Sequence, residues 1–423
     1  MERVAEQDSL LQGYRVLDLT DEKGLLCGRI LGDFGADVIK IESPGGDNAR
    51  NNPPFYKDDP DSEKSMFWFY TNFNKKGMTL NIETEEGIEI FKKLVKRSHF
   101  VIESFEPGYM DSLGLSYKQL EEVNPGIIMT SITPFGQTGP YAHYKVTDLI
   151  SQAMGGLVYI LGDSDRPPTR ISEPQAFFQG GLQGALGSMV AHYYRVMTGE
   201  GQHVDVSIQQ AVVLTLMMEV EYWDILKFNY RGEGCGFVYS RPQGQLFHRR
   251  VFPCKDGYVY YMMGGGAQIG LIASSKAMVE LANREGMALE LKDYDWTKYD
   301  LMTADQKETD HMLDLVAEFL ITKSKAELAA AAAANNIFLA PCYDMKDSGE
   351  SSQLKARDFW VEAEHPDLGE AITYPGAAMK VSQCPWQVYR RAPLIGEHNE
   401  EIYIEELGFS REKLVMLKSK NVI

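Results

Sequence analysis

The feature that constrains this chain most is the order of its apolar segments between residues 14 and 133. "YRVLDLT" reads as a short strand. "GLLCGRILGDFG" has apolar residues at helical spacing and stops at Gly35, and "ADVIKIE" reads as a second strand. "TEEGIEIFKKLVKRS" opens on Thr84 with acids behind it and closes on bases, the order that complements a helix macrodipole. "HFVIES" and "GIIMTSIT" supply two further strands. Strands joined through helices pair in parallel, because a parallel neighbour is reached only by a long crossover. The expected class is therefore α/β, with a parallel sheet covered by helices and ligands beyond the carboxyl ends of the strands.

Two long helices are expected next, over roughly 178 to 197 and then along "SIQQAVVLTLMMEVEYWDIL" from Ser207. The text changes at "KFNYRGEGCGFVYSRPQGQ", rich in Gly, Tyr and Arg, which reads as a linker. Residues 245 to 335 read as a smaller α/β unit. Its last helix, "SKAELAAAAAANN", begins with a Ser324–Glu327 capping box and ends at two asparagines. The C-terminal part has too little apolar density to stand alone and must pack back on the first domain. The expected organisation is a large domain over 1–225, a linker over 226–244, a small domain over 245–335, and a return to the large domain over 336–423.

Charge and composition exclude several function classes. The formal net charge is −18 and no run of five or more basic residues appears, so nucleic acid and anionic membranes are poor partners. No apolar stretch is long enough to cross a bilayer, and "MERVAEQDSLLQG" lacks the apolar region of a signal peptide. The five cysteines are scattered and form no CxxC pair, which suggests a reducing cytoplasm; the eight histidines form no metal-binding spacing. A dinucleotide fingerprint is absent, since "DLTDEKG" stands after the first strand instead of GxGxxG. "MGGGAQIG", residues 263–270, reads as a flexible turn or as a loop that closes over a ligand.

Seven motifs in order carry a resemblance that spans nearly the whole chain. They are "VLDLT", "FGADVIKIESPGGDNAR", "FNKKGMTLNIETEEG", "SFEPGYMDSLGLSYKQLEEVNP", "FGQTGPY", "TGEGQHVDVSIQQA" and "APLIGEH". Together they resemble the class III CoA-transferases, the family of formyl-CoA transferase and carnitine CoA-transferase. The resemblance implies a large Rossmann-like domain built from both chain ends, a small α/β domain between them, and an intertwined, ring-like dimer. It implies no tightly bound cofactor, with a coenzyme A thioester as the substrate. It also implies an aspartate nucleophile that forms an acyl anhydride and then an aspartyl-CoA thioester, with backbone N–H groups holding the oxyanions.

Here this chain departs from the pattern. Matching back without a gap from "TGEGQ" places Pro174 on the family's proline, Ala176 on its glycine and Phe177 on the nucleophilic aspartate. A phenyl ring has no lone pair to donate, so no catalytic residue is expected in this chain. Glu173, upstream of Pro174, and Asp148 in "KVTDLISQA" are the two carboxylates that could substitute. The racemase branch of the family is excluded as well, because Thr147 and Phe177 stand where its two bases belong.

The same matching puts Ser43, Glu83 and Ser112 where the resemblance implies basic residues for the CoA phosphates, and Glu106 adds negative charge. Lys145 and Arg50 remain as candidate CoA ligands of a degenerate pocket. A scaffold kept without its nucleophile reads as the non-catalytic subunit of a heteromeric CoA-transferase, partnered by a paralogous catalytic subunit. Within the family it resembles the branch that pairs two different subunits and acts on succinyl-CoA and benzylsuccinate in anaerobic aromatic hydrocarbon degradation. Two alternatives stay open: a homomeric enzyme using a displaced carboxylate, and a non-enzymatic acyl-CoA or partner-binding protein.

Overall fold

The computed structural model describes residues 9–163, 165–232, 234–241 and 243–423. Residues 1–8, part of the N-terminal stretch "MERVAEQDSLLQG", lie outside the described residues, as do positions 233 and 242 of the 226–244 stretch. The chain divides into two units: 9–158, 170–221 and 355–423 form one, and 159–169 with 222–354 form the other.

The first unit is built on six parallel strands: β1 (Arg15–Leu19), β2 (Asp37–Glu42), β3 (Lys75–Thr79), β4 (Phe100–Glu103), β5 (Ile128–Thr133) and β6 (Gln202–Ser207). They lie in the order β3-β2-β1-β4-β5-β6, so the winding reverses between β1 and β4. Val16 pairs with Val38 on one side and with Phe100 on the other. Four of these strands coincide with the apolar runs of the sequence. β3, "KKGMT", has no such run, and it is buried for a different reason. Lys75 is sealed in the core, where its Nζ donates to Asp18 Oδ2 (2.8 Å), Asn72 Oδ1 (2.9 Å) and the Leu25 carbonyl (2.8 Å). A buried ammonium is tolerated only when paired and hydrogen-bonded in this way.

The period-two alternation of the strands sorts their side chains into two apolar layers. Leu17, Ile39, Val101 and Met129 join the layer that contains Ile90, Phe91 and Leu94. Those three lie on the helix Glu85–Val95, which starts as expected, with the Thr84 hydroxyl accepting from Gly87 N at 3.0 Å. Ile402, Tyr403, Leu414 and Leu417 from the C-terminal segment complete this layer, which is how that segment buries its few apolar residues. Val16, Val38, Phe100, Ile128 and Ile132 join the opposite layer with Cys27, Ala176 and Phe177.

Among the helices of the first unit are α1 (Leu25–Asp33), α2 (Glu85–Val95), α3 (Asp148–Met154), α4 (Gln175–Thr198) and α5 (Ile208–Leu214), and α6 (Met217–Leu226) runs from the first unit into the second. The small residues of "FFQGGLQGALG" let α4 lie against α1 and β5. A Cβ on Gly181 would stand 2.9 Å from Leu26 Cβ, and one on Gly184 would stand 2.6 Å from Ile132 Cδ1. The second long helix expected from Ser207 is broken. Thr215 donates its hydroxyl back to the Val212 carbonyl (2.7 Å), and Thr215 N bonds the same carbonyl in a three-residue turn that ends α5.

In the second unit the stretch expected as a linker over 226–244 carries β7 (Gly236–Arg241), which pairs antiparallel with β8 (Gly244–Arg249). The alternation of "GFVYSR" against "GQLFHR" outweighs the Gly-rich flank. β9 (Val251–Cys254), β10 (Gly257–Tyr261) and β11 (Leu339–Cys342) form a separate antiparallel sheet. The capping box of Ser324 and Glu327 is present, and Asn336 closes that helix in the left-handed conformation at φ 54°. The glycines of "MGGGAQIG" are set by packing. A Cβ on Gly264 would meet Leu271 Cδ1 at 2.5 Å, and one on Gly265 would meet the Trp296 carbonyl at 2.1 Å.

Candidate functional site

The carboxyl ends of the parallel strands present two features, and both are made by residues of the first unit. One is the junction of α3 and α4, where the sequence pattern expects a nucleophile. The other is a cavity of about 750 Å³ beyond β1, β2 and β3.

At the junction, Pro174 caps α4 and Phe177 is its third residue. The Phe177 side chain points into the apolar layer under the sheet and is 3% exposed. Its backbone N–H donates to Asp148 Oδ1 at 2.9 Å. Asp148 opens α3, and its second oxygen accepts from the Gln152 side-chain amide. Gln152 also reaches the Glu173 carbonyl at 3.3 Å, which ties the turn before α4 to α3. Asp148 thus places a carboxylate on the amino end of a 24-residue helix, where unpaired N–H groups and the macrodipole favour an anion.

Burial holds the Asp148 carboxyl above its ordinary value, and the Phe177, Gln152 and Ala176 donors only partly offset it. Both oxygens accept hydrogen bonds that tie the carboxylate to the start of α4 and to Gln152. Glu173 is exposed and no hydrogen bond or ion pair of its carboxylate is found among the described residues. Thr147 is the residue that precedes α3, and its side chain makes no capping bond.

The cavity is lined by Leu19, Ile41, Leu80, Ile82, Phe105 and Tyr109 on its apolar side. Its polar side carries Asp21, Glu22, Glu42, Asp47 and Glu83, with Ser43 and several asparagines, and no Lys, Arg or His. Two of the three positions expected to have lost a base, Ser43 and Glu83, meet here. Ser43 Oγ donates to the Gly46 carbonyl (2.8 Å), closing a turn in which Gly46 takes φ +87°. Glu83 Oε1 accepts from the Tyr109 hydroxyl at 2.9 Å. Ser112 lies apart from the cavity lining and donates to the Tyr109 carbonyl at 2.7 Å.

The two candidate CoA ligands are not brought together. Arg50 is buried with its guanidinium turned into a clamp, donating to Glu42 (2.7 and 2.8 Å), Glu63 (2.6 Å) and the Pro393 carbonyl (2.9 Å). Its plane also covers Trp68 at 3.9 Å. Lys145 is 88% exposed and stands 3.6 Å from Glu106. The other cations near the cavity are committed as well: Lys40 pairs with Asp47 at 3.0 Å and Lys23 with Asp21. A phosphate in the cavity would find no free cation and would face Glu22 and Glu83, for which no ion pair is found among the described residues, each such pair at ~4 Å costing roughly 1–4 kcal/mol between the bulk-water and near-surface limits.

Away from the strand ends, α4 presents an apolar stripe to solvent. Leu182, Leu186, Val190, Tyr193 and Met197 recur at three- and four-residue spacing and are all exposed, Tyr193 by 70%. The opposite face of α4 is already buried by small residues, so the helix is apolar on both sides, and an exposed apolar stripe of this kind marks a surface for a neighbour. The stripe was missed in the sequence, although its spacing is visible within "GLQGALGSMVAHYYRVM".

A doubly wound parallel sheet with a cavity at its switch point defines the general class, and comparison with known proteins defines the family. Residues 11–399 match the family model of CoA-transferase family III, and the chain belongs to that family. It is 33% identical over 392 residues to succinyl-CoA:(R)-benzylsuccinate CoA-transferase subunit BbsE of Thauera aromatica, covering 93% of each chain. It is also 33% identical over 425 residues to formyl-CoA:oxalate CoA-transferase of Streptomyces coelicolor, covering 98% of this chain and 99% of the relative. Among solved structures it resembles a CAIB/BAIF family protein from Brucella suis, with a TM-score of 0.79, 28% identity, and coverage of 94% of this chain and all of that one. Among the described residues no helix is long and apolar enough to cross a membrane.

Proposed function

We propose that this chain is the non-catalytic subunit of a heteromeric CoA-transferase. Its catalytic partner is a paralogous chain that keeps the aspartate, and the two form an intertwined pair. The observation that carries this reading is Phe177: a buried phenyl ring occupies the position where the sequence pattern expects the nucleophile. The neighbouring carboxylate supports it, because Asp148 is held in a structural role, bridging Phe177 N at the start of α4 and the Gln152 amide. The acidic cavity supports it too, since CoA phosphates find no cation among the lining residues. The exposed stripe on α4 supports a permanent partner, and the Thauera aromatica relative is itself named as a subunit. By likeness to that relative, the complex moves CoA from succinyl-CoA to an aryl-substituted succinate such as benzylsuccinate.

The test is purification from the native host followed by assay of each chain. The expected result is co-purification with a second chain of similar length, with transferase activity only in the mixture. Full activity from this chain alone would contradict the proposal and favour the reading in which Glu173 or Asp148 serves as a displaced nucleophile.

A further inference from the structure

We propose that a groove in the second unit, between α7 (Ile269–Arg284) and the segment 291–296, binds a phosphorylated nucleoside through its phosphate chain. The inference does not depend on the subunit reading, which rests on residues of the first unit.

Charge comes first. The groove has a volume of about 500 Å³ and is lined by Lys276, Arg284 and Lys292 against a single acid, Glu280. On a chain of net charge −18 such an excess of bases is the exception. Lys276, Glu280 and Arg284 follow one another at four-residue spacing, so they share one face of α7. No ion pair or hydrogen bond of the three cationic side chains is found among the described residues. The acids around them are engaged elsewhere: Glu285 with Lys323 (2.6 Å), Glu290 with His311 (3.0 Å), Asp295 with Thr297 (2.6 Å) and Glu308 with the Tyr294 hydroxyl (3.1 Å). Asp293, next to Lys292 in the chain, is not part of the lining. Arg284 in the last turn of α7 also complements the negative end of that helix, which accounts for one cation of the three.

Three cations against one acid suit a ligand with two or more negative charges. Lys276 and Arg284 are two helical steps of four apart, about 12 Å along the axis. That spread suits charges strung along a chain, as in a di- or triphosphate.

The rest of the groove fits the nucleoside end. Asn283 donates its side-chain amide to the Val279 carbonyl at 2.6 Å, and its Oδ1 is buried with no partner. A buried acceptor left open calls for a donor. A ribose hydroxyl or a base amino group is such a donor, and a fully ionised inorganic anion has none. The Tyr294 ring beside it is fixed by its bond to Glu308 and by edge-on packing against Trp296, with centroids 5.0 Å apart and planes at 66°. With Val279 and Leu291 it makes an apolar wall on which a planar base can lie. The volume falls within the usual range of small-molecule sites.

The experiment is calorimetric titration of the full chain, together with its partner where the two co-purify, with ADP, pyrophosphate and adenosine as probes. Each is titrated into wild type, into the Lys276→Ala, Arg284→Ala double variant, and into the Lys276→Arg, Arg284→Lys pair that keeps both charges. ADP bound at any other site of the complex is common to all three proteins, so the readout is the binding lost in the alanine variant alone. The substituted side chains are exposed, and both variants should melt with the wild type. The expected result is ADP binding at least tenfold tighter than either pyrophosphate or adenosine, weakening as salt rises. It should be kept in the charge-preserving pair and fall at least tenfold in the alanine variant. ADP binding unchanged in the alanine variant, or absent at millimolar concentration, would overturn the proposal. Pyrophosphate binding as tightly as ADP would overturn it too, because the groove would then hold an inorganic anion only. None of these results bears on which chain of the complex carries the acyl group.

Discussion

Replacing Phe177 by aspartate restores the carboxylate that the family pattern expects, and it should still fail to give an enzyme. Phe177 is 3% exposed and packs among Cys27, Ile132, Ala176 and Ile208. Truncating a buried phenylalanine to alanine costs about 3–5 kcal/mol through lost burial and the cavity left behind. Aspartate adds a carboxyl that finds no donor in this apolar layer, which costs about 1–3 kcal/mol more even when it is protonated. The new group would also lie near Asp148, whose carboxyl burial already holds above its ordinary value. Two close carboxyls cannot both ionise cheaply, so the new aspartate would be mostly neutral at neutral pH and a weak nucleophile.

The direction of the pH effect is set by the same burial. A carboxyl whose folded pKa is raised contributes stability below its unfolded pKa and loses it as pH rises through the folded value. Phe177→Asp should therefore be least stable at alkaline pH, while Phe177→Leu should show no added pH dependence and a loss of about 1 kcal/mol. Thermal melts between pH 5 and pH 8 check this, with the melting temperature of Phe177→Asp falling by roughly 5–15 °C. Transferase activity is then measured for this variant paired with a partner whose own nucleophile has been removed. Robust turnover, or a melting temperature unchanged from wild type, would refute the reasoning, because the position would then be a functional pocket and not a packed core.

Three further outcomes are expected. Arg50→Ala should destabilise the first unit by about 3–5 kcal/mol in denaturant titration, because it leaves the sealed carboxylate of Glu42 unpaired. If Arg50 were instead a free anion ligand, stability would be nearly unchanged. Glu103 is buried at the end of β4, and burial raises its carboxyl to about 7 against the bonds from Ser131 and from Phe105 N (2.7 Å). Its contribution to stability is lost as pH rises from about 4.5 to about 7, so Glu103→Gln should flatten the pH dependence in that window and gain roughly 2–3 kcal/mol at pH 8. Val190→Glu in the exposed stripe of α4 should leave the fold intact and abolish co-purification of the partner, read by light scattering. A complex of unchanged mass would show that the stripe is not an interface.

Legibility from the sequence tracked the physics of each element. β1, β2, β4 and β5 were readable because their apolar residues alternate or run continuously, as a sheet buried on both faces demands. β3 was not, since its burial rests on Lys75 meeting Asp18, a partner 57 residues away that no local pattern announces. The Ser324 and Thr84 caps were readable because capping chemistry is local. The fate of Arg50 was hidden for the opposite reason: an arginine beside "GGDN" looks available, and only the fold brings Glu42 and Glu63 onto its guanidinium. Phe177 stood out at once against the family pattern. Its amide bond to Asp148, 29 residues earlier, became visible only in three dimensions.

The most direct measurement is acyl trapping in the working complex. The purified heteromer is incubated with an acyl-CoA and quenched with hydroxylamine or borohydride, and the modified carboxylate is mapped by peptide mass spectrometry. The account predicts the modification on an aspartate of the partner chain and none on this one. A hydroxamate from hydroxylamine, or a side-chain alcohol from borohydride, at Glu173 or Asp148 would contradict it, because this chain would then carry the activated carboxyl itself.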